Sequence, residues 1–204
     1  MGTTAFTTKD IQELRQRTGA GMMDCKAALE EASGDKERAI EILRKKGAAR
    51  TEKRSGRDVK EGLIQSYIHH NGKLGVLVEV NCETDFVARN DDFRSLVKAI
   101  AEHIAAGVPA PAVAVTREQV PAEIVERERR ISTEQAQEQG KPQNIIDKLV
   151  QGRVEKFYKE HVLLDQPWVR DDTKTIGDLV REASAKTGEN IVVRRFARFQ
   201  MGAE

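Results

Sequence analysis

The spacing of apolar residues predicts that the chain begins with a helix. Ile11 and Leu14 recur at helical spacing, with polar residues between them. Thr7 and Asp10 stand three residues apart just before them, as in a capping box, where each side chain bonds the other residue's backbone. The glycines of the segment 18–21 end this helix, because glycine readily adopts the left-handed backbone of a helix end.

Two further helices follow at the same kind of spacing. One is expected from about residue 22 to residue 32, and Asp35 begins another, which we expect to end at Gly47. These three helices predict a compact bundle in residues 1–50. The polar, basic stretch after it predicts a linker over residues 51–60.

Runs of residues typical of strands then predict a small antiparallel sheet. Residues 63–70 and 74–80 are typical strands, and Asn71-Gly72 between them is a strong hairpin pattern. A third strand is expected at residues 191–200. A helix starting near Asp91 carries an apolar stripe that can cover one sheet face: Phe93, Leu96, Val97, Ile100 and Ile104.

The strand pair is apolar on both of its faces, although one helix can cover only one of them. The apolar residues include Leu63, Ile64, Ile68, Val76, Leu77 and Val78. An uncovered apolar face usually marks an interface. We therefore expect a homodimer that uses this face.

A polar segment separates the two parts of the sheet. Residues 121–139 are mostly Glu, Arg, Gln and Ala, Gly140-Lys141-Pro142 breaks the pattern, and apolar residues then recur at helical spacing up to Phe157. The short break predicts an antiparallel helical hairpin. Because this hairpin has little core of its own, we expect it to project, at about residues 121–160, from an α+β domain that spans residues 61–204. A final helix begins with a second capping box at Thr175 and Asp178.

Composition narrows the classes of function. Lys plus Arg number 34 and Asp plus Glu 33, so the net charge of +1 gives no general reason to bind nucleic acid directly. No apolar run is long enough to cross a membrane, and the N-terminus lacks the core of a signal peptide. Cys25 and Cys82 form no CxxC pair, which suits buried thiols in a reducing compartment. We expect a cytoplasmic protein.

Patterns that carry covalent chemistry are missing from the sequence. It has no GxxxxGK[ST] phosphate loop, and its four histidines lack partners at metal-ligand spacing. Cys82 has no evident base to activate it. We expect no enzyme, no metal and no cofactor.

Two exposed features could instead contact a partner. The loop between a strand and a helix contains Asp85 and Phe86, which could present a carboxylate and a ring together; local reasoning alone favours the alternative that Phe86 tucks into the core. Met22 and Met23 sit at a helix start, where at least one should be exposed, although both could cap the bundle core.

Two long runs identify a family resemblance. Residues 14–29, Leu-Arg-Gln-Arg-Thr-Gly-Ala-Gly-Met-Met-Asp-Cys-Lys-Ala-Ala-Leu, resemble the first signature of the elongation factor Ts family. Residues 79–90, Glu-Val-Asn-Cys-Glu-Thr-Asp-Phe-Val-Ala-Arg-Asn, resemble its second. Gly140-Lys141-Pro142 and the segment 166–169 are similar to later family segments, so the resemblance covers nearly the whole chain.

The resemblance implies a guanine-nucleotide exchange factor that binds elongation factor Tu, in its GDP-bound and nucleotide-free states. It implies that the bundle resembles a ubiquitin-associated domain, that the hairpin is a coiled coil, and that the ring of the second signature acts as a wedge near the partner's magnesium and phosphates. The implied contact residues are Thr84, Asp85, Phe86 and Val87 in the loop, and Arg15, Met22, Met23 and Arg54 nearer the N-terminus. Only one core copy is found, which resembles the short, dimeric form of the family.

Two other functions remain open from the sequence. An adaptor of the ubiquitin-associated type would bind a partner without changing its ligand, but it would not need an exposed Asp-Phe pair. A translation-linked RNA binder could use Arg194, Arg195 and Arg198. Near-neutral charge and few aromatic residues argue against RNA binding.

Overall fold

The described residues form an α+β fold of helices and short strands, with a small three-stranded sheet. The structure is a computed structural model that describes residues 6–203, and for residues 48–53 it describes only the helical backbone. The helices are α1 (Thr8–Thr18), α2 (Met22–Glu31), α3 (Lys36–Arg54), α4 (Asp85–Ala88), α5 (Asp91–Ala106), α6 (Ala122–Glu138), α7 (Gln143–His161) and α8 (Ile176–Thr187). The strands are β1 (Glu61–Ile68), β2 (Leu74–Cys82), β3 (Pro167–Trp168), β4 (Asp171–Thr175) and β5 (Val192–Gln200).

The chain divides into two compact units that do not follow its linear order. The first unit contains the chain up to Gly62 together with residues 81–94 and 180–192. The second contains residues 63–80, 95–179 and 193–204. The loop that follows β2 therefore belongs to the same unit as the N-terminal helices.

In the first unit, α1, α2 and α3 pack into the predicted three-helix bundle. Thr7 and Asp10 form the expected capping box, and Gly19 ends α1 with a left-handed backbone at φ 69°. The Asp35 carboxylate accepts a hydrogen bond from the backbone N–H of Arg38 at 3.0 Å, which caps α3. The buried core consists of small and medium side chains: Leu14, Cys25, Ala28, Leu29, Ala32 and Ala39.

The predicted end of the third helix at Gly47 is wrong. Helix α3 continues through Gly47 to Arg54, so its last residues occupy the start of the predicted linker. A glycine inside a helix costs only about 1 kcal/mol relative to alanine. The alanines and charged residues on both sides of Gly47 are good helix formers and outweigh that cost.

The second unit contains the predicted three-stranded antiparallel sheet, in the order β1-β2-β5. Val76, Val78 and Val80 on β2 are buried, whereas Leu77 between them is half-exposed. Helix α5 buries its stripe in the same unit at Val97, Ile100 and Ile104. The connection between β1 and β2 spans residues 69–73, longer than a two-residue turn, with Gly72 at φ 67°.

Helices α6 and α7 pack against each other as the predicted hairpin, joined by residues 139–142. Small or medium side chains are buried along them: Ser132, Ala136, Ile146 and Val154. At one end, the Arg117 guanidinium donates hydrogen bonds to Asp165 at 2.5 Å and to Glu155 at 3.0 Å. The Arg117 guanidinium therefore links α7 to the segment that follows it.

A small antiparallel pair, β3 with β4, was not expected from the sequence. Its neighbourhood contains a buried histidine, His103, whose Nε2 lies 2.9 Å from Gln166 Oε1 and whose Nδ1 accepts the Val169 N–H at 3.3 Å. This pairing matches a neutral ring that donates from Nε2. Burial lowers the pKa of His103, against the raising effect of the Gln166 hydrogen bond.

Candidate functional site

The loop after β2 forms a single helical turn, α4, that presents one aromatic ring to solvent. The Thr84 hydroxyl caps it by accepting the Val87 N–H at 3.4 Å. Val87 is only 5% exposed, whereas Phe86 beside it is 77% exposed. The alternative that the ring of Phe86 tucks into the core is therefore wrong. Val87, expected to contact the partner with its neighbours, lies beneath the turn.

The carboxylate beside the ring is also exposed and has a local partner. Arg89 lies 2.9 Å from the Asp85 carboxylate, four residues along the chain. Both side chains are well exposed, and such pairs contribute on the order of 0.3–0.5 kcal/mol. A partner protein could therefore exchange this contact for its own at little cost.

The backbone beneath the turn is held by a distant carboxylate. Glu189 Oε2 accepts the N–H groups of Glu83 at 3.0 Å and Thr84 at 3.1 Å. Its other oxygen accepts the Thr84 hydroxyl at 2.6 Å. One side chain from the segment after α8 thus fixes the two residues that lead into α4.

A second carboxylate, that of Glu83, binds the segment next to Glu189 in turn. Glu83 Oε1 accepts the backbone N–H of Asn190 at 2.6 Å, and Arg57 donates to the same carboxylate at 3.3 Å. The buried Asn190 side chain in turn donates to the carbonyl oxygens of Ser55 at 3.4 Å and Arg57 at 3.1 Å. We call the reciprocal pair Glu83 and Glu189, with the backbone N–H groups they hold, the carboxylate clasp.

The thiol under the loop is structural. Cys82 is fully buried, and its Sγ donates a hydrogen bond to the Thr84 carbonyl oxygen at 3.2 Å. Burial raises the pKa of Cys82 to about 11, so it stays a thiol at neutral pH and is a poor nucleophile. Burial also raises the pKa of Cys25 in the bundle. Both cysteines are free and buried, as expected.

The bundle exposes the second set of expected contact residues. Met23 is 76% exposed and Met22 37%, at the first turn of α2, and Arg15 on α1 is exposed as well. The alternative that both methionines cap the bundle core is therefore wrong. Exposed methionines form an adaptable apolar contact surface.

Arg54, the remaining expected contact residue, is occupied within its own unit. Its guanidinium donates to the Ser184 carbonyl oxygen on α8 at 3.0 Å, and the side chain is half-buried. The structure therefore places the loop, the methionines and Arg54 in the first unit, with Arg54 the least available of them.

Sequence reasoning missed the residues that hold the loop. Arg89 could have been found, since it stands four residues after Asp85 in a helical turn. Glu189 and Asn190 could not, because only the tertiary fold brings them to the loop. Within residues 6–203, no helix is long and apolar enough to cross a membrane. Among the side chains that the structure describes, those of residues 6–47 and 54–203, no group of His, Cys, Asp and Glu could hold a metal ion.

Comparison with known proteins gives one consistent result. The family model described as "Elongation factor TS" matches residues 7–203. The elongation factor Ts of Fervidobacterium nodosum is 57% identical over 192 residues, covering 94% of this chain and 96% of the relative. That of Thermoanaerobacter pseudethanolicus is 57% identical over 197 residues, covering 97% and 95%. That of Coprothermobacter proteolyticus is 58% identical over 192 residues, covering 94% and 96%.

Proposed function

The chain belongs to the elongation factor Ts family, and from this premise we propose how its surface acts on elongation factor Tu. As a member it is a translation elongation factor of protein biosynthesis, a nucleotide exchange factor and not an enzyme of covalent chemistry. In our proposal it binds elongation factor Tu with GDP in place. It then disturbs the magnesium and phosphate site through Asp85 and Phe86, so that GDP leaves and GTP can bind.

The single observation that carries the proposal is the exposed Phe86 ring on a fixed turn. Burying a large apolar side chain stabilises by about 1.5–3 kcal/mol relative to leaving it in water. The exposed Phe86 ring would gain this free energy on entering a groove of the partner. The neighbouring Asp85 carboxylate would repel the GDP phosphates or compete for the cations that hold them. Ring and carboxylate together suit a site where a nucleotide must be loosened.

The bundle supplies the proposed docking surface. Met22 and Met23 offer apolar contact area, and Arg15 offers a cation at its side. We assign these three to affinity and the loop to nucleotide release. Arg54 contributes only if it can leave the Ser184 carbonyl oxygen. The likeness of the bundle to a ubiquitin-associated domain and of the α6–α7 hairpin to a projecting coiled coil belongs to the same proposal.

The sheet supports a proposed homodimer. Its outer face exposes Ile64, Ile68, Leu77, Phe199 and Met201. Part of this face forms an open groove of about 500 Å³ between Ile68 and Met201. Contiguous apolar surface of this kind is typical of an interface, and a two-fold dimer would cover the same patch on both chains.

The RNA-binding alternative has little support among the described residues. Arg195 Nε lies 2.7 Å from Glu79, and Arg198 donates to the Ala105 carbonyl oxygen at 3.3 Å. Arg198 is thus engaged within its own unit, whereas the Arg195 side chain is exposed and its ion pair is weak. The case against RNA binding therefore rests mainly on the near-neutral net charge. In our proposal the protein works in the cytoplasm, together with elongation factor Tu.

Release of a fluorescent GDP analogue from purified elongation factor Tu tests the proposal. An excess of unlabelled nucleotide traps the empty partner, and the release rate is measured with and without this protein. We expect the rate to rise with protein concentration and then saturate. An unchanged rate, with binding still detectable, would identify an adaptor instead.

A further inference from the structure

The Glu189 side of the carboxylate clasp holds the residues that lead to Phe86. The Glu189 carboxylate accepts three hydrogen bonds, from two backbone N–H groups and the Thr84 hydroxyl. The backbone of Glu189 is itself fixed at the end of α8. The Ser184 hydroxyl donates to its carbonyl oxygen at 2.5 Å, and its N–H donates to the Thr187 hydroxyl at 3.3 Å.

We propose that Glu189 is the positioning residue of the exchange loop, holding the α4 turn so that Phe86 meets the partner in one orientation. This inference rests on the proposed exchange function, since it assigns Glu189 a role through Phe86 and not through contact with the partner.

The turn needs such support because it cannot hold itself. A helix of four residues is far below the length at which helices persist alone in water. The buried Val87 anchors the far side of the turn, but the entry at Glu83 and Thr84 is held by Glu189. Hydrogen bonds to a charged acceptor are stronger than neutral ones, so this one side chain supplies much of the restraint.

The alternative, that Glu189 only stabilises the fold, predicts different results. A stabilising role would lower the melting temperature and the amount of active protein, leaving the active fraction with normal kinetics. A positioning role lowers the maximal rate of GDP release at saturating protein. It leaves the half-saturating concentration almost unchanged, because the docking residues on the bundle are untouched.

Three substitutions of Glu189 separate the effect of its side-chain length from the effect of its negative charge. Glu189→Ala removes all three hydrogen bonds, and we expect the maximal release rate to fall about tenfold, with less than a twofold change in half-saturation. Glu189→Gln keeps the reach: its carbonyl oxygen can accept both N–H groups and its amide can donate to the Thr84 hydroxyl. We expect it to stay within about threefold of the unsubstituted protein. Glu189→Asp keeps the charge but is one methylene shorter, and it should resemble Glu189→Ala. Glu41→Ala, an exposed carboxylate on α3, is the matched control.

A double-mutant cycle with Phe86→Ala decides whether Glu189 acts through the ring. If it does, Glu189→Ala costs much less in the Phe86→Ala background than in the unsubstituted protein. Rate losses that multiply, or a Glu189→Asp protein as fast as Glu189→Gln, would overturn the positioning role. A fully active Glu189→Ala protein, with Phe86→Ala still slow, would also overturn the positioning role. The proposed exchange function would stand in that case. Full activity of Phe86→Ala would instead remove the proposed wedge itself.

Discussion

Two regions of the molecule expose apolar side chains, and they do so in different ways. The loop exposes one ring, Phe86, flanked by the charged Asp85 and Arg89 and fixed from behind by Glu189. The outer face of the sheet exposes several apolar side chains together, some of them along an open groove. A single fixed ring among charges suits insertion into a groove, whereas a broad apolar face suits being covered by a similar face. In our proposal, the loop serves nucleotide exchange and the outer face of the sheet serves self-association.

Of the substitutions that distinguish the loop from the sheet face, we expect Phe86→Ala to have the largest effect. Phe86→Ala should lower the rate of GDP release by at least about 30-fold, because a central aromatic contact typically contributes more than about 2 kcal/mol. Its melting temperature should hold, since the ring lies outside the core. Stopped-flow release of fluorescent GDP and thermal melting followed by circular dichroism measure the two properties.

The adjacent residue is the matched control for this experiment. Val87→Ala removes buried methyl groups and should cost about 1–3 kcal/mol of stability. Because it keeps the Phe86 ring, it should slow exchange much less than Phe86→Ala at temperatures where the protein remains folded. The opposite pair of results would contradict the exposed position of Phe86 and the buried position of Val87. In that case Phe86→Ala would melt early, and Val87→Ala would lose exchange while still folded.

The second effect concerns the sheet. Ile64→Lys places a charge on its outer face and should convert the proposed dimer to a monomer, since like charges would meet across a two-fold interface. Multi-angle light scattering at micromolar concentration gives the mass. Val113→Lys, at an exposed position outside the sheet, should leave the mass unchanged. A monomeric mass for the unsubstituted protein, with full exchange activity, would refute the dimer.

A smaller effect is expected on the bundle surface. Met23→Ala should raise the half-saturating concentration for GDP release about fivefold, close to 1 kcal/mol of affinity, while the maximal rate stays the same. The control is Val113→Ala, at an exposed apolar position in the other unit and outside the sheet. A fall in maximal rate for Met23→Ala would mean that docking and nucleotide release are not divided between bundle and loop.

The smallest effect is a pH dependence confined to the second unit. The pKa of His103 is lowered by burial, so folding favours the neutral ring. Below about pH 6.5 the unfolded chain gains a proton that the folded chain resists, and stability therefore falls as pH falls through this range. Melting temperatures between pH 7.5 and 5.5 should drop more steeply for the unsubstituted protein than for His103→Gln. Parallel slopes would contradict a lowered pKa.

Local chemistry predicted most of the fold. The capping boxes at Thr7 and Thr175 stand where expected, the latter with Asp178 accepting the Thr175 N–H at 2.9 Å, because both partners lie within one helical turn. The three strands of the sheet followed from strand-like runs and from the Asn71-Gly72 pattern between the first two. Gly47 misled the reading of α3, since a glycine ends a helix only where the backbone turns left-handed, and sequence does not show where that happens.

The site was predictable only in part. The family resemblance pointed to Phe86, whereas local reasoning would have buried it, because ring exposure depends on which side of a one-turn helix faces the core. The carboxylate clasp joins residues more than a hundred positions apart, and no periodicity links Glu83 or Thr84 to Glu189. Such pairs become visible only when the fold is known.

The central claim, nucleotide exchange, is tested most directly by linkage. Titration calorimetry should compare the binding of this protein to nucleotide-free and to GDP-loaded elongation factor Tu. An exchange factor must bind the empty state more tightly, and GDP must weaken that binding by the same factor by which this protein weakens GDP binding. We expect a large difference between the two affinities, and equal factors in the two directions. Equal affinities for the empty and the GDP-loaded partner would contradict the account.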